Sequence, residues 1–167
     1  MSSIHPNIIE NIKQMCTDRG YHIIDEKEFE IMTDECYIIF TRDVKININY
    51  IKDLTRLMLE QDIEHVIVIY NGNITINTQN INDIKLLYNI EFFSEKSFMY
   101  NVSKHSLVPK HEKLIADSDE YNLIIKEKNN LPHIFEHDPI CKYFNFKQGD
   151  LLKIYRKNNT IIFRLVV

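Results

Sequence analysis

At 167 residues, 44% hydrophobic and 26% charged, the chain has material for one ordinary domain or two small ones with buried cores. Its net charge of −4 is unevenly spread: 9 Lys and Arg against 16 Asp and Glu before residue 100, and 11 against 8 after it. An acidic first part is a poor duplex-gripping surface, and no apolar run is long enough to cross a membrane, so no membrane partner is expected.

In chain order, residues 7–18 read as a helix. Ile8, Ile12, Met15 and Cys16 recur at three- and four-residue spacing, and Gly20 supplies a stop. Residues 21–24 form a short apolar edge, and the charged stretch 28–31 gives no clear element. Residues 36–40 predict a strand. A second strand is expected over 44–48, where Val44, Ile46 and Ile48 alternate. Helical spacing returns over 50–61 through Ile51, Leu54, Leu57 and Met58. The run His65-Val66-Ile67-Val68-Ile69-Tyr70 predicts a central strand covered on both faces, ended by a turn at Asn71-Gly72. A weak helix over 79–87 and a strand or exposed aromatic segment over 88–93 complete an α/β rhythm. A small layered α/β domain is therefore expected over residues 1–98.

The remaining residues, 99–167, predict a compact α+β domain, so the chain as a whole is expected to be α+β. A helix is expected over 117–128, with Leu123 and Ile124 facing inward. Asp138-Pro139 is a helix start, with Asp138 as N-cap and Pro139 in the first turn. Ile140, Tyr143 and Phe144 form its buried face. Gln148-Gly149-Asp150 turns the chain into a strand over 151–155. A two-residue turn at Asn158-Asn159 then reverses it into a last strand over 160–166.

Several residues invite a chemical reading. His133, His137 and Cys141 recur every four residues, as zinc ligands on one helix would, but Asp138-Pro139 starts a new element between them. His105 and His111 lie near Ser103 and Ser106, yet no nucleophile elbow accompanies them. The acidic group Asp25, Glu26 and Glu28 lacks a second carboxylate set. No catalytic residue, metal or cofactor is expected, and no small-molecule substrate. Cys16, Cys36 and Cys141 are widely separated and odd in number, which fits free thiols in a reducing compartment. Lys147, Lys153, Arg156, Lys157 and Arg164 could form a basic face, with Lys153 and Arg164 flanking each other on adjacent strands.

The series of blocks in the last third is specific in its order. Leu107-Val108-Pro109-Lys110-His111 comes first, then Leu131-Pro132-His133-Ile134, Asp138-Pro139-Ile140-Cys141-Lys142-Tyr143, Lys147-Gln148-Gly149-Asp150 and Phe163-Arg164-Leu165-Val166. It closely resembles the assembly domain of the shared RNA polymerase subunit family, which comprises the fifth subunit of the eukaryotic nuclear enzymes and its archaeal counterpart. His133 stands where the family has arginine, Cys141 where it has alanine, and Asn145 where it has glycine. Asp18-Arg19-Gly20-Tyr21 and residues 63–70 extend the resemblance into the eukaryotic jaw domain, more weakly.

The resemblance implies a non-catalytic subunit of a DNA-directed RNA polymerase. Docking on the largest subunit would then use Pro109, His111, Pro132, His133, Asp138, Arg156 and Arg164. The jaw-like domain would lie beside downstream duplex DNA, touching it weakly near Gly72, Thr75 and Asn77. The family's Thr-Pro-Ser after the central strand is missing here, because Thr75 is followed by Ile76 and Asn77. A stand-alone nucleic-acid-binding regulatory module is the alternative, and a small metal-dependent nuclease a more distant one. The asparagine- and isoleucine-rich composition suggests a divergent member. A large DNA virus as source implies a virion or host-cytoplasm setting, and a eukaryote with an A/T-rich genome implies the nucleus.

Overall fold

Pro6 opens the first helix because its missing N–H is one that the first turn could not use anyway. The computed structural model, which describes residues 4–41, 45–72 and 88–167, runs this helix, α1, over Pro6–Arg19. His5 caps it by accepting a hydrogen bond on Nδ1 from the Asn7 N–H at 3.3 Å. Ile8, Ile12, Met15 and Cys16 form its buried face, as their spacing predicts. Gly20, at φ 82°, ends it in the left-handed conformation and returns its N–H to the last carbonyls.

Strands β1 (Ile23–Lys27), β2 (Glu30–Thr33) and β3 (Tyr37–Thr41) form an antiparallel meander. β2 leaves no clear mark in the sequence because its two buried residues, Ile31 and Thr33, alternate with a charged and an exposed side chain. The expected strand over 44–48 is not what forms. Residue 44 lies outside the described residues, Ile46 is buried, and the Asn47 side chain accepts hydrogen bonds from the N–H groups of Asn49 and Tyr50, both at 3.0 Å. This cap starts helix α2 at Ile48 (Ile48–Gln61), so local capping overrides the alternation of Ile46 and Ile48. β4 (His65–Tyr70) and β5 (Asn89–Ser94) then add in parallel to β3, giving the order β1-β2-β3-β4-β5. The helix expected over 79–87 lies outside the described residues.

β4 is buried through Val66, Ile67, Val68 and Ile69, each at 0% exposure, so both of its faces are covered. Val66 and Val68 pack with Ile51, Leu54 and Met58 of α2. Each such side chain contributes about 1.5–3 kcal/mol by leaving water. Ile67 and Ile69 point the other way, and so does Glu91, which stands opposite Ile67 in the ladder. There Arg19, at the end of α1, grips Glu91 with two hydrogen bonds of 2.7 and 2.9 Å, and His65 Nε2 meets the same carboxylate at 2.8 Å. All three side chains are buried. Burial alone would raise the Glu91 pKa, but the contacts from His65 and Arg19 overcome it and hold the carboxyl at about 2. The thiols nearby are inert: burial pushes Cys16 up to about 12 and Cys36 up to about 11.

The chain divides into two units, Met1–Tyr100 and Asn101–Val167, each folded around its own sheet. In the second, β6 (Lys110–Lys113), β7 (His133–Ile134), β8 (Leu151–Tyr155) and β9 (Ile161–Val166) form one sheet in the order β6-β8-β9-β7. The helix expected over 117–128 is shorter: α3 covers Asp119–Ile125, capped by Ser118, with the left-handed Asp117 before it. Leu123 is 67% exposed and does not face inward, Ile124 is half-buried, and no residue of α3 is fully buried. Helix α4 (Pro139–Phe144) starts as predicted. Asp138 accepts a hydrogen bond from the Ile140 N–H at 2.9 Å, and Asn145, at φ 56°, closes the other end. Ile140, Cys141 and Tyr143 are buried, while Phe144 is only partly so. Gly149, at φ 93°, makes the turn into β8.

The last hairpin is not the two-residue turn read from the sequence. Arg156 and Thr160 still pair, since the Arg156 N–H donates to the Thr160 carbonyl, and the loop is Lys157-Asn158-Asn159. The Asn159 N–H donates back to the Arg156 carbonyl, and only Asn159 is left-handed. A three-residue loop of this kind follows the twist of the strands with a single left-handed residue.

Two outcomes follow from these contacts. Above pH about 4.5 the depressed Glu91 pKa contributes stability to the first unit, and this is lost as the pH falls from about 4.5 towards about 2, an effect of about 3 kcal/mol. In denaturant titrations the gap between the native chain and Glu91→Gln should therefore shrink over that window; a constant gap would contradict it. Asp138→Ala removes a cap and should cost about 1 kcal/mol in the melting of the second unit. An unchanged melting temperature would show that the Asp138 cap is not stabilising.

Candidate docking groove

The α4 side of the second sheet is only partly covered. Ile134, Ile140, Cys141, Phe146, Leu152, Ile154 and Val166 form the core under the helix. Beside that core, an open groove of about 840 Å³ runs over the half-buried Ile162 and reaches the buried Ile154, bounded by residues 107–111, the start of α4 and the tip of the β8–β9 hairpin.

Strand register decides which charges face it. His111, Ile154 and Ile162 stand opposite one another, and Leu152 stands opposite Arg164. Residues two apart share a face, so Arg156, Ile154, Ile162, Arg164 and His111 lie on one side. Lys153 stands opposite Phe163, not Arg164, and so belongs to the other face. There its Nζ meets Glu120 Oε1 at 2.7 Å. The expected flanking of Lys153 and Arg164 is therefore wrong by one residue of register. The other face is electrostatically closed: Lys110 is paired with Glu112, and the Tyr155 hydroxyl donates to Glu112 at 2.6 Å.

The groove face is open. Arg164 donates to the His133 carbonyl at 3.2 Å, and among the described residues no carboxylate lies within ion-pair distance of Arg164, Arg156 or Lys157. Asp138 is the acidic residue of the lining, and its Oδ1 is engaged in capping α4. His111 is half-buried at the floor's edge. Its Nδ1 lies 2.8 Å from the Pro109 carbonyl, which can only accept, so the proton sits on Nδ1 and Nε2 is left as an acceptor in the neutral ring. Burial pulls the His111 pKa below the usual histidine value, which favours that neutral ring.

Five residues singled out in the sequence, Pro109, His111, Asp138, Arg156 and Arg164, line this single groove. Pro132 and His133 do not. They lie on the β7 side, where the Pro132 carbonyl accepts from the Leu165 N–H at 3.0 Å and His133 supplies the acceptor for Arg164. Their part is to hold β9 and one arginine in place. Sequence reasoning missed the floor, Ile154 and Ile162, and the rim residue Leu107, which is 79% exposed. An aliphatic residue in a strand carries no signal of whether it lies in the core, as Ile154 does, or borders an open groove, as the half-buried Ile162 does. Gly72 is exposed in the turn after β4, while Thr75 and Asn77 lie outside the described residues.

The zinc-like spacing is not brought together. His133 is exposed on β7, His137 stacks on Phe135, and Cys141 is in the core, where burial pushes its thiol up to about 12. Among the described residues no three His, Cys, Asp or Glu side chains gather as metal ligands, and no helix is long and apolar enough to cross a membrane.

Comparison with known proteins accounts for the blocks. The family described as "RNA polymerase Rpb5, C-terminal domain" matches residues 100–166. The chain is 34% identical over 142 residues to the DNA-directed RNA polymerases I, II, and III subunit RPABC1 of Caenorhabditis elegans, and equally to that of Caenorhabditis briggsae. The match spans 80% of this chain and 67% of each relative. It is 28% identical over 145 residues to the RPABC1 subunit of Dictyostelium discoideum, spanning 81% of this chain and 73% of that one. With a family match over the groove-bearing residues and relatives aligned along most of both chains, the chain belongs to the Rpb5 family of RNA polymerase subunits.

Proposed function

We propose that the chain is a non-catalytic subunit of a multisubunit DNA-directed RNA polymerase and that its second unit docks on the largest subunit through the groove beside Arg156 and Arg164. The observation that carries this reading is the open face of the sheet. One side of β6-β8-β9-β7 has its charges paired within the chain, while the other presents two arginines without a carboxylate above an aliphatic floor. A free-standing domain gains little from such a face, whereas a subunit uses it. Nucleotide addition belongs, in this reading, to other subunits. Family membership favours it over a stand-alone regulatory module or a nuclease.

In the same reading residues 1–98 form the jaw-like part and 99–167 the assembly part. The first stands near downstream duplex, with Gly72 in an exposed turn on the DNA side. Its excess of acidic residues argues that affinity for DNA comes from the assembled enzyme. The relatives are eukaryotic, which supports a nuclear setting; they give no support to a virion or host-cytoplasm setting.

Two measurements check this. Arg156→Ala combined with Arg164→Ala should leave the free chain folded by circular dichroism and release it from the largest subunit in a pull-down. Removing one side of a desolvated, hydrogen-bonded charge pair costs about 2–5 kcal/mol. Full retention would place docking away from the groove. The isolated chain should bind duplex DNA no more tightly than the roughly 10⁻⁴–10⁻⁶ M of non-specific association, whereas nanomolar, sequence-selective binding would favour the stand-alone module.

A further inference from the structure

We propose that the occupant of the groove is an extended, acidic-apolar protein segment, its carboxylates meeting Arg156 and Arg164 and its apolar side chains lying on Ile154 and Ile162. This rests on the docking reading above and adds to it the chemistry of what docks.

Charge complementarity carries the argument. Arg156 and Lys157 stand at the hairpin end of the groove and Arg164 stands opposite Leu152, each without a carboxylate partner among the described residues, and Asp138 is the acidic residue of the lining. Lys113, which shares the Arg164 face, is already paired with Asp150 at 2.7 Å, so the sheet supplies carboxylates where it needs them. It supplies none at the hairpin end. Arg164 is also oriented in advance: one Nη donates to the His133 carbonyl, which fixes the guanidinium and leaves its other N–H groups for a planar acceptor. A carboxylate fits that fork in two-point fashion.

The floor selects against nucleic acid. Its apolar part is built from Val108, Ile140, Ile154 and Ile162, and the tyrosine of the lining is Tyr155, whose ring would have to face the groove for a base to stack on it. The ring of Tyr155 faces the other side of the sheet, where Lys110 and Lys153 each lie 5.6 Å from its centroid. Asp138, at the start of α4, would repel a phosphate backbone that ran the length of the groove. His111 adds a neutral acceptor at the same end, suited to a backbone N–H of the occupant and not to a phosphate.

The test places a photo-crosslinking residue, Leu107→p-benzoylphenylalanine, in the full chain assembled into polymerase within its own cells. The cross-linked peptide is then read by mass spectrometry. The expected product is a segment of a polymerase subunit with Asp or Glu close to apolar residues. Reversing the acidic residue of that segment to Lys should weaken retention of the native chain by about tenfold and be compensated by Arg156→Glu with Arg164→Glu. In the native complex the Glu pair should retain the chain about tenfold less well than the Gln pair, because like charge repels and neutralisation does not; equal loss would mean carbonyl acceptors and would overturn the proposal. A cross-link to a basic or uncharged segment of the largest subunit would overturn the acidic occupant and leave docking intact. A cross-link to nucleic acid would also overturn it. A chain that co-purifies with the polymerase but yields no cross-link from Leu107 would overturn the docking groove itself.

Discussion

The second unit depends on the way its last strand is held from both sides. β9 pairs antiparallel with β8 along its whole length, while its final residues also pair in parallel with the two-residue strand β7. The Leu165 N–H goes to the Pro132 carbonyl and the Val167 N–H to the Ile134 carbonyl. The Gly149 N–H returns to the Val166 carbonyl, and the Val166 N–H to Asp150. Few backbone groups at that end are left for water, and a buried donor or acceptor without a partner would cost about as much as a lost hydrogen bond. This pairing fixes the register of β8 against β9. A slip of one residue would send Arg164 and Ile162 to the Lys153 face, taking from the groove one of its arginines and half of its isoleucine floor.

The two units use charge in opposite ways. In the first, Arg19, Glu91 and His65 form a closed buried set that ties the end of α1 to β4 and β5, with each polar atom of the carboxylate engaged. Such a set is costly to open at its centre, because removing Glu91 takes from the buried Arg19 and His65 the carboxylate they share. In the second, arginines sit at the groove with planar donors still available. A closed network specifies how a domain folds, and an open one specifies what it meets. The same residue type is thus closed off at position 19 and left open at positions 156 and 164, and burial together with a partner carboxylate makes the difference.

Much of this is legible in the sequence where the chemistry is local. The spacing of Ile8, Ile12, Met15 and Cys16 marks α1, the β-branched run marks β4, and Asp138-Pro139 marks the start of α4. The α+β class follows from these. Errors arise where one local signal masks another, as when Asn47 caps a helix inside an apparent strand, or where facing depends on a partner strand, as for Lys153. Leu123 looks inward by helical spacing, but its helix packs no fully buried face, which only the tertiary structure reveals. The buried contact of Arg19 with Glu91 is invisible because 72 residues separate them and neither position breaks the pattern of its own element. Of the candidate docking residues, the prolines and Asp138 announce themselves through turn and cap chemistry. Arg156 and Arg164 stand out by charge only as members of a basic cluster, and the family resemblance is what suggests docking for them.

The measurement that tests the account most directly is a cryo-electron microscopy map of RNA polymerase purified through this chain. The account predicts continuous density from the largest subunit within the groove over Ile154 and Ile162, in contact with Arg156 and Arg164. A map in which that groove faces solvent, while the chain is held by the opposite face of the sheet, would contradict it.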